Sequence, residues 1–146
     1  CGASGDWPSR WADLVRRLPA SCAPVAVIYA DWQAANAPTP KTVLAHAATI
    51  GCRALLIDTF SKKAGALFDH LQPSRLEELV TCARLHGLVT VLAGSLTLST
   101  ARDALKLHPD YLAVRGAVCD GSRVARLMPA KVRRWKAIVE QSLVAS

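Results

Sequence analysis

The 146-residue sequence predicts an α/β protein built from repeated strand–helix units. Three observations support this fold class. Four apolar runs are continuous rather than alternating, a helical stretch follows each run, and a glycine stands before the strand in both "IGCRALL" and "HGLVTVL". Each unit has about the size of one strand and one helix of a (β/α)8 barrel, so we expect a fold of the TIM-barrel type.

The four apolar runs are typical of buried parallel strands, because none of them has a polar face. A leading helix, predicted at Pro8–Leu18 from "PSRWADLVRRL", precedes the first strand. The predicted strands are Pro24–Asp31, Ala54–Thr59, Leu88–Ser95 and Tyr111–Ala117.

Two of the helices that follow these strands have a recognisable beginning. Thr39 before Pro40 offers an N-cap and a proline at the first helical position. Ser74 and Glu77 match the capping-box pattern for the second helix. The remaining helices are expected at about Ser99–Leu107 and Pro129–Val144.

The chain has the length of a single domain, residues 1–146, but four strands cannot close an eight-stranded barrel. It is therefore half of such a barrel or a small open sheet, and we favour the half barrel. Because the first residue is Cys1 rather than methionine, a truncation before it is expected. In a half barrel, Val27, Ile57 and Val91 would point inward without opposite strands. We then expect aggregation, a homo-oligomer or a requirement for the missing half.

Composition narrows the class of protein. Hydrophobic residues make up 51% and charged residues 20% of the chain, which is typical of a globular protein. No apolar run is long enough for a membrane span and no targeting segment is visible, so a cytoplasmic protein is expected. The cysteines and histidines have no ligand spacing, so neither a disulfide framework nor a metal site is predicted. The cysteines are Cys1, Cys22, Cys52, Cys82 and Cys119.

The net charge of +7 is concentrated near the C terminus. Residues 121–146 contain six Lys or Arg and a single acidic residue, Glu140, which gives this segment +5. A basic terminal helix is usually a solvated face or an interface, and no aromatic platform or nucleic-acid motif accompanies it. Nucleic acid is therefore not favoured as a partner.

Polar residues gather at the carboxyl ends of the predicted strands, where the active sites of barrel enzymes lie. Each has a simpler explanation: an aspartate can close a turn, a loop lysine can be solvated, and Gly-Ser is a common turn pair. Arg115 is harder to explain in this way, because we expect it to be buried and to need an anionic partner. The residues are Asp31, Asp58, Lys62, Lys63, Gly94, Ser95, Arg115 and Gly116.

Together these residues would suit the chemistry of a phosphorylated carbonyl compound. Gly94 and Gly116 would let backbone N–H groups approach a phosphate. A lysine beside a carboxylate can protonate a carbonyl oxygen, steer a phosphate or form an imine, and the aspartate can hold the amine.

Four motifs resemble one known family, in order and spacing over residues 24–128. They are "YADW", "LLIDTFSKKAGALFD", "LHGLVTVLAGSL" and "DYLAVRGAVCDGSRVARL". This set is similar to the C-terminal half of (5-formylfuran-3-yl)methyl phosphate synthase, a (β/α)8-barrel enzyme of methanofuran-type cofactor synthesis. The resemblance implies a lyase that condenses two molecules of glyceraldehyde 3-phosphate through a lysine imine, with no metal and no cofactor.

The resemblance assigns roles to particular residues. It implies that Asp58 and Lys62 are catalytic and that the substrate phosphate binds at Gly94, Ser95, Arg115 and Gly116. Asp31 and Thr59, also at the strand ends, are candidates for support of the active site. The family's imine-forming lysine and a proton-accepting lysine lie in the half that precedes Cys1. We therefore expect no catalysis from this chain alone. The alternative is a non-catalytic phosphate-binding half barrel that assembles with another chain.

Overall fold

The structure, a computed structural model, describes residues 5–144 and the side chains as far as Ser142. Helical structure follows each strand along the chain, as the sequence predicted. The elements are α1 Trp7–Arg16, β1 Val25–Tyr29, α2 Pro40–Thr49, β2 Ala54–Asp58, α3 Leu67–His70, α4 Pro73–Leu85, β3 Val89–Leu92, α5 Leu98–Lys106, β4 Tyr111–Leu112, a 3₁₀ turn Gly116–Val118, and α6 Pro129–Val144.

The four strands form one parallel sheet in the order β1-β2-β3-β4. Each strand therefore pairs with the next strand along the chain, and a helical connection separates them. The register places Val27 opposite Leu56, and Leu56 opposite Val91. The predicted α/β class with a repeated strand–helix unit is confirmed at this level.

Only one face of the sheet is covered by helices. Ala26, Ile28, Leu55 and Leu92 lie on that face and are buried in the core, where Leu44, Leu76 and Val80 of α2 and α4 belong to the same cluster. The opposite face exposes apolar side chains, so the predicted burial of the strands is found on one face of the sheet only. These side chains are Val25, Val27, Val89 and Tyr111.

Ile57 was predicted to point inward with Val27 and Val91, and this prediction is wrong. Ile57 is 1% exposed and pairs in register with Ile28 and Leu92 on the helix-covered face. Val27 is 39% exposed on the open face. Successive side chains of a strand point to opposite faces, so Ile57 cannot share the face of Leu56.

The helix beginnings agree with the sequence in one of the two predicted cases. At α2, the Thr39 Oγ1 accepts a hydrogen bond from the Thr42 N–H, and Pro40 occupies the first position. The capping box of Ser74 and Glu77 is wrong. The N-cap of α4 is Gln72, two residues before Ser74, because Pro73 takes the first helical position.

A hydrogen-bonded clamp joins the amino end of β3 to the residue before β4. The Asp110 carboxylate accepts bonds of 2.7 Å from both the backbone N–H and the hydroxyl of the buried Thr90. These two bonds, with a smaller contribution from Arg84, outweigh desolvation and lower the pKa of Asp110 below its ordinary 3.8. The clamp fixes the edge strand β4, which has only two residues.

The described residues contain no helix that is both long and apolar enough to cross a membrane. The four described cysteines, Cys22, Cys52, Cys82 and Cys119, are free thiols, and Cys1 lies outside the described residues. Burial raises the pKa of the Cys52 thiol, which favours an unreactive core residue.

Candidate active site

A cleft of about 540 Å³ opens at the carboxyl ends of β2, β3 and β4. Its walls come from three loops that are distant in sequence, because consecutive parallel strands end at the same edge of the sheet. Six of the predicted site residues line it, whereas Asp31 and Thr59 do not. The six are Asp58, Lys62, Gly94, Ser95, Arg115 and Gly116.

The acid and the amine of the loop after β2 are in direct contact. The Lys62 Nζ donates a hydrogen bond of 2.6 Å to the Asp58 Oδ1, and it also reaches the backbone oxygen of Thr59. The Asp58 Oδ1 accepts a second bond, of 2.8 Å, from the Thr59 N–H. Both side chains are partly exposed to the cleft. This arrangement holds one ammonium group at a fixed place beside the cleft.

Lys63 has a different position from its neighbour. Its side chain is exposed and does not line the cleft, in agreement with the expectation that one of the two lysines is solvated. Of the two lysines, Lys62 is the one whose Nζ contacts the end of β2, through Asp58 and the Thr59 backbone oxygen.

Asp31 acts on the loop of β2 rather than on the cleft. Its Oδ1 accepts a bond of 2.6 Å from the Phe60 N–H, and its Oδ2 accepts one of 2.8 Å from the Ser61 N–H. Burial raises the pKa of Asp31, but the bonds from Ser61 and Phe60 outweigh burial, so the net pKa lies below 3.8. Asp31 is thus an ionised anchor for the segment that carries Lys62.

The loop after β3 requires a glycine at position 94. Gly94 has φ +97°, and a Cβ there would lie 3.1 Å from the Thr59 Cγ2 and 3.3 Å from the Thr59 backbone nitrogen. Its carbonyl accepts a bond of 2.9 Å from the Leu67 N–H. Ser95 follows with φ +54° and is exposed to the cleft. Two successive left-handed residues turn this backbone sharply at the cleft wall.

Arg115 is exposed, and the prediction of a buried arginine with an anionic partner is wrong. Strand β4 ends at Leu112, so Arg115 belongs to the following loop rather than to a strand. Its Nε donates a bond of 2.9 Å to the carbonyl oxygen of Arg123. None of the salt bridges among residues 5–144 includes Arg115.

Gly116 begins the 3₁₀ turn and has no left-handed φ. A Cβ at this position would lie 3.7 Å from the Arg123 Cβ, which is an ordinary van der Waals contact. The local geometry therefore tolerates a small side chain at position 116, in contrast to position 94.

Arg123 also lines the cleft, although the sequence pattern did not single it out. Arg123 lies in a short hairpin between Cys119 and Leu127, which form an antiparallel β-bridge. Within it, the Asp120 N–H donates a hydrogen bond of 3.0 Å to the Arg126 carbonyl oxygen, and Gly121 has φ +78°. The Asp-Gly pair in "CDGSR" is a turn signal that could have indicated this hairpin.

No metal cluster forms among the described residues, since no group of three or more His, Cys, Asp or Glu side chains converges there. The residues that line the cleft include one acidic residue, Asp58, one lysine, Lys62, and two arginines, Arg115 and Arg123, beside a tightly turned glycine loop.

Comparisons with known proteins agree with the sequence motifs. The model of the 4-HFC-P synthase family matches residues 3–136. The (5-formylfuran-3-yl)methyl phosphate synthase of Archaeoglobus fulgidus is 32% identical over 99 residues, which are 68% of this chain and 42% of that protein. The protein of the same name from Methanothermobacter thermautotrophicus is 32% identical over 118 residues, covering 80% of this chain and 50% of the relative. The chain spans about half the length of the curated relatives it matches.

Proposed function

The chain belongs to the 4-HFC-P synthase family, and from that premise we propose that it forms part of an enzyme that makes (5-formylfuran-3-yl)methyl phosphate. The observation that carries the proposal is the convergence of Asp58, Lys62, Gly94 and Arg115 from three separate loops on one cleft. A fixed ammonium group beside a tightly turned glycine loop suits a phosphorylated aldehyde as substrate.

The proposed reaction condenses two molecules of glyceraldehyde 3-phosphate and releases one inorganic phosphate and two water molecules. It proceeds through a lysine imine, so the enzyme is a lyase of the Schiff-base type. The imine-forming lysine of the family does not correspond to Lys62. We therefore propose that catalysis requires residues from further strand–helix units, and that this chain does not complete the reaction alone.

The open face of the sheet supports a half-barrel architecture. Val25, Val27, Val89 and Tyr111 expose apolar surface where a closed (β/α)8 barrel would have its packed interior. We propose that four further units cover this face and that the eight strands close a barrel of the TIM type. The coverage of about half of each curated relative is consistent with this arrangement.

Within the proposed enzyme, Lys62 supplies positive charge and a proton to the substrate oxygen, and Asp58 holds its amine. Asp31 and Thr59 position the loop that carries Lys62. The loops at Gly94, Ser95, Arg115 and Gly116 hold the phosphate. Because Lys62 and Asp58 are in contact before substrate binds, the ammonium group does not have to be ordered during the reaction.

The second candidate function is a non-catalytic phosphate-binding half barrel that assembles with another chain, which the exposed apolar face also favours. One experiment separates the two functions. The full-length protein is incubated with glyceraldehyde 3-phosphate, and the furan aldehyde phosphate is measured by mass spectrometry, with and without borohydride trapping of an imine. Product and a trapped adduct in the wild type, both lost when the imine lysine is replaced, support the enzyme. Phosphate binding without product or adduct supports the second function and contradicts the first.

A further inference from the structure

The cleft contains a cation to which neither the motif nor the comparisons give a role. Arg123 lies on the hairpin after the 3₁₀ turn and lines the cleft together with Arg115. From this placement, and resting on the proposed function, we infer that the Arg123 guanidinium binds a phosphate group jointly with Arg115. The ligand is a phosphate dianion, either the phosphate of the substrate or the inorganic phosphate that the reaction releases.

The main chain of Arg123 fixes the first arginine. Its carbonyl oxygen accepts the Nε–H of Arg115 at 2.9 Å, which occupies one of the five N–H donors of that guanidinium. The terminal amino groups of Arg115 remain for a ligand, because no described salt bridge or side-chain hydrogen bond uses them. Residue 123 also packs against Gly116, as the 3.7 Å spacing to a Cβ there indicates.

Two arginines of the cleft lining have no acidic partner within the cleft. Lys62 pairs with Asp58, and no other acidic side chain lines the cleft. Arg115 and Arg123 take part in none of the salt bridges described. The two remaining positive charges match a phosphate monoester, which carries between about −1.5 and −2 at neutral pH. Two guanidinium groups can share its oxygens through charge-assisted hydrogen bonds.

Arg126 on the same hairpin provides a matched control. It is exposed like Arg123, and its carbonyl oxygen also accepts a hydrogen bond, from the Asp120 N–H at 3.0 Å. It does not line the cleft. A glutamine at either position keeps the bond to the backbone carbonyl and replaces the guanidinium group by a shorter, neutral amide. Because the substitution is the same at both positions, a difference between the two variants reports on the cleft.

The test measures binding to the full-length protein and to its variants Arg123→Gln and Arg126→Gln by calorimetry. Three probes are used: glyceraldehyde 3-phosphate, inorganic phosphate and unphosphorylated glyceraldehyde. We expect Arg123→Gln to weaken binding of at least one phosphate probe tenfold or more, as for the loss of a charge-assisted bond. Arg126→Gln should change it less than about twofold. For Arg123→Gln, the KM for glyceraldehyde 3-phosphate should rise by a larger factor than kcat falls.

The probes distinguish the phosphate of the substrate from inorganic phosphate. They also distinguish failure of the role of Arg123 from failure of the proposed function. Weakening for both phosphate probes indicates a site that either phosphate can occupy, and weakening for glyceraldehyde 3-phosphate alone indicates the substrate phosphate. Both outcomes support the inference. Equal affinities for Arg123→Gln and Arg126→Gln, with an active wild type, overturn the inference but leave the proposed function. A wild type that binds no phosphate probe and makes no product overturns both.

Discussion

Asp31, two residues after β1, accepts a hydrogen bond of 2.8 Å from the backbone N–H of Ser61, thirty residues later in the chain. A second bond, of 2.6 Å, comes from the Phe60 N–H. Lys62 is the next residue after Ser61, so the carboxylate of the first strand orders the amine-bearing loop of the second. The proposed role of Asp31 is therefore positional, and its loss should act through Lys62.

The first prediction is that Asp31→Asn lowers both activity and stability. An asparagine amide places an NH₂ group where one of the two backbone N–H groups needs an acceptor, so one partly buried donor loses its partner. We expect a loss of about 1–3 kcal/mol in the free energy of unfolding. Amide hydrogen exchange at Phe60 or Ser61 should accelerate. Asp13→Asn, on the exposed surface of α1, is the control. Unchanged exchange at both amides would contradict the anchoring role.

The second prediction concerns stability at acid pH. The folded-state pKa values of Asp31 and Asp110 lie below the ordinary 3.8. Each carboxylate therefore contributes stability that is present above about pH 4 and is lost as the pH falls through its folded-state pKa. Asp110→Asn should lower the free energy of unfolding at pH 7 by about 1 kcal/mol at most, because solvent screens this exposed group.

Urea denaturation at a series of pH values checks this linkage. The curves of wild type and Asp110→Asn should converge as the pH falls from about 4 through the folded-state pKa of Asp110, since the wild-type carboxylate becomes protonated in that range. Asp103→Asn, which removes an exposed carboxylate of α5, is the control. A constant difference between wild type and Asp110→Asn at every pH would show that the clamp with Thr90 does not depend on ionisation.

The sequence predicted the order of elements because each apolar run is bounded by turn residues, such as Gly51 before β2 and Gly87 before β3. It could not predict which face each side chain occupies. In an unbroken apolar run such as "ALLID", the letters do not show the alternation, so Ile57 was assigned to the wrong face. Only the register with neighbouring strands decides it.

The residue at which β4 ends also could not be predicted from the sequence. The run "YLAVRGAV" continues to look like a strand, yet pairing stops at Leu112, because β3 ends at Leu92 and offers no further partner. Arg115 is consequently exposed in a loop. The six cleft residues could be named from the sequence because parallel strands all end at one edge. The hydrogen bond from the Ser61 N–H to Asp31 could not be predicted from the sequence, because it joins residues thirty positions apart and depends on the conformation of a loop.

The third prediction separates the two adjacent lysines. Lys62→Ala in the full-length enzyme should lower kcat about a hundredfold or more, as expected for the loss of a positioned proton donor. Lys63→Ala should stay within about threefold of wild type, because Lys63 does not line the cleft. Steady-state assays with glyceraldehyde 3-phosphate measure both. Near-equal losses would mean that the two lysines act only as general positive charge.

The fourth prediction compares two glycines of the cleft. Gly94→Ala should destabilise the protein by about 2 kcal/mol or more, since φ +97° is strained for alanine and its Cβ would crowd Thr59. Gly116→Ala should cost less than about 0.5 kcal/mol, because its geometry is open to a methyl group. Thermal unfolding of the two variants gives the comparison. Equal stability losses would show that the left-handed turn at Gly94 carries no special requirement.

The last prediction concerns the open face of the sheet in the isolated 146-residue chain. Val27 is 39% exposed and Tyr111 is 64% exposed, on a face whose apolar neighbours include Val25 and Val89. Exposed apolar surface beside unpaired strand edges recruits partners, so the chain should elute from size-exclusion chromatography as a dimer or aggregate. Val27→Lys places a charge in this face and should shift the chain toward monomer, while its circular dichroism stays that of the wild type.

The matched control for the open face is Val132→Lys, since Val132 is 44% exposed on the surface of α6 and does not belong to that face. It should leave the elution volume unchanged. In the full-length enzyme, Val27→Lys should abolish folding or activity, because a closed barrel would bury the added charge without a partner. Val132→Lys should be neutral there too. A wild-type chain that remains monomeric at tens of micromolar concentration, or a full-length enzyme that tolerates Val27→Lys, would contradict the half barrel.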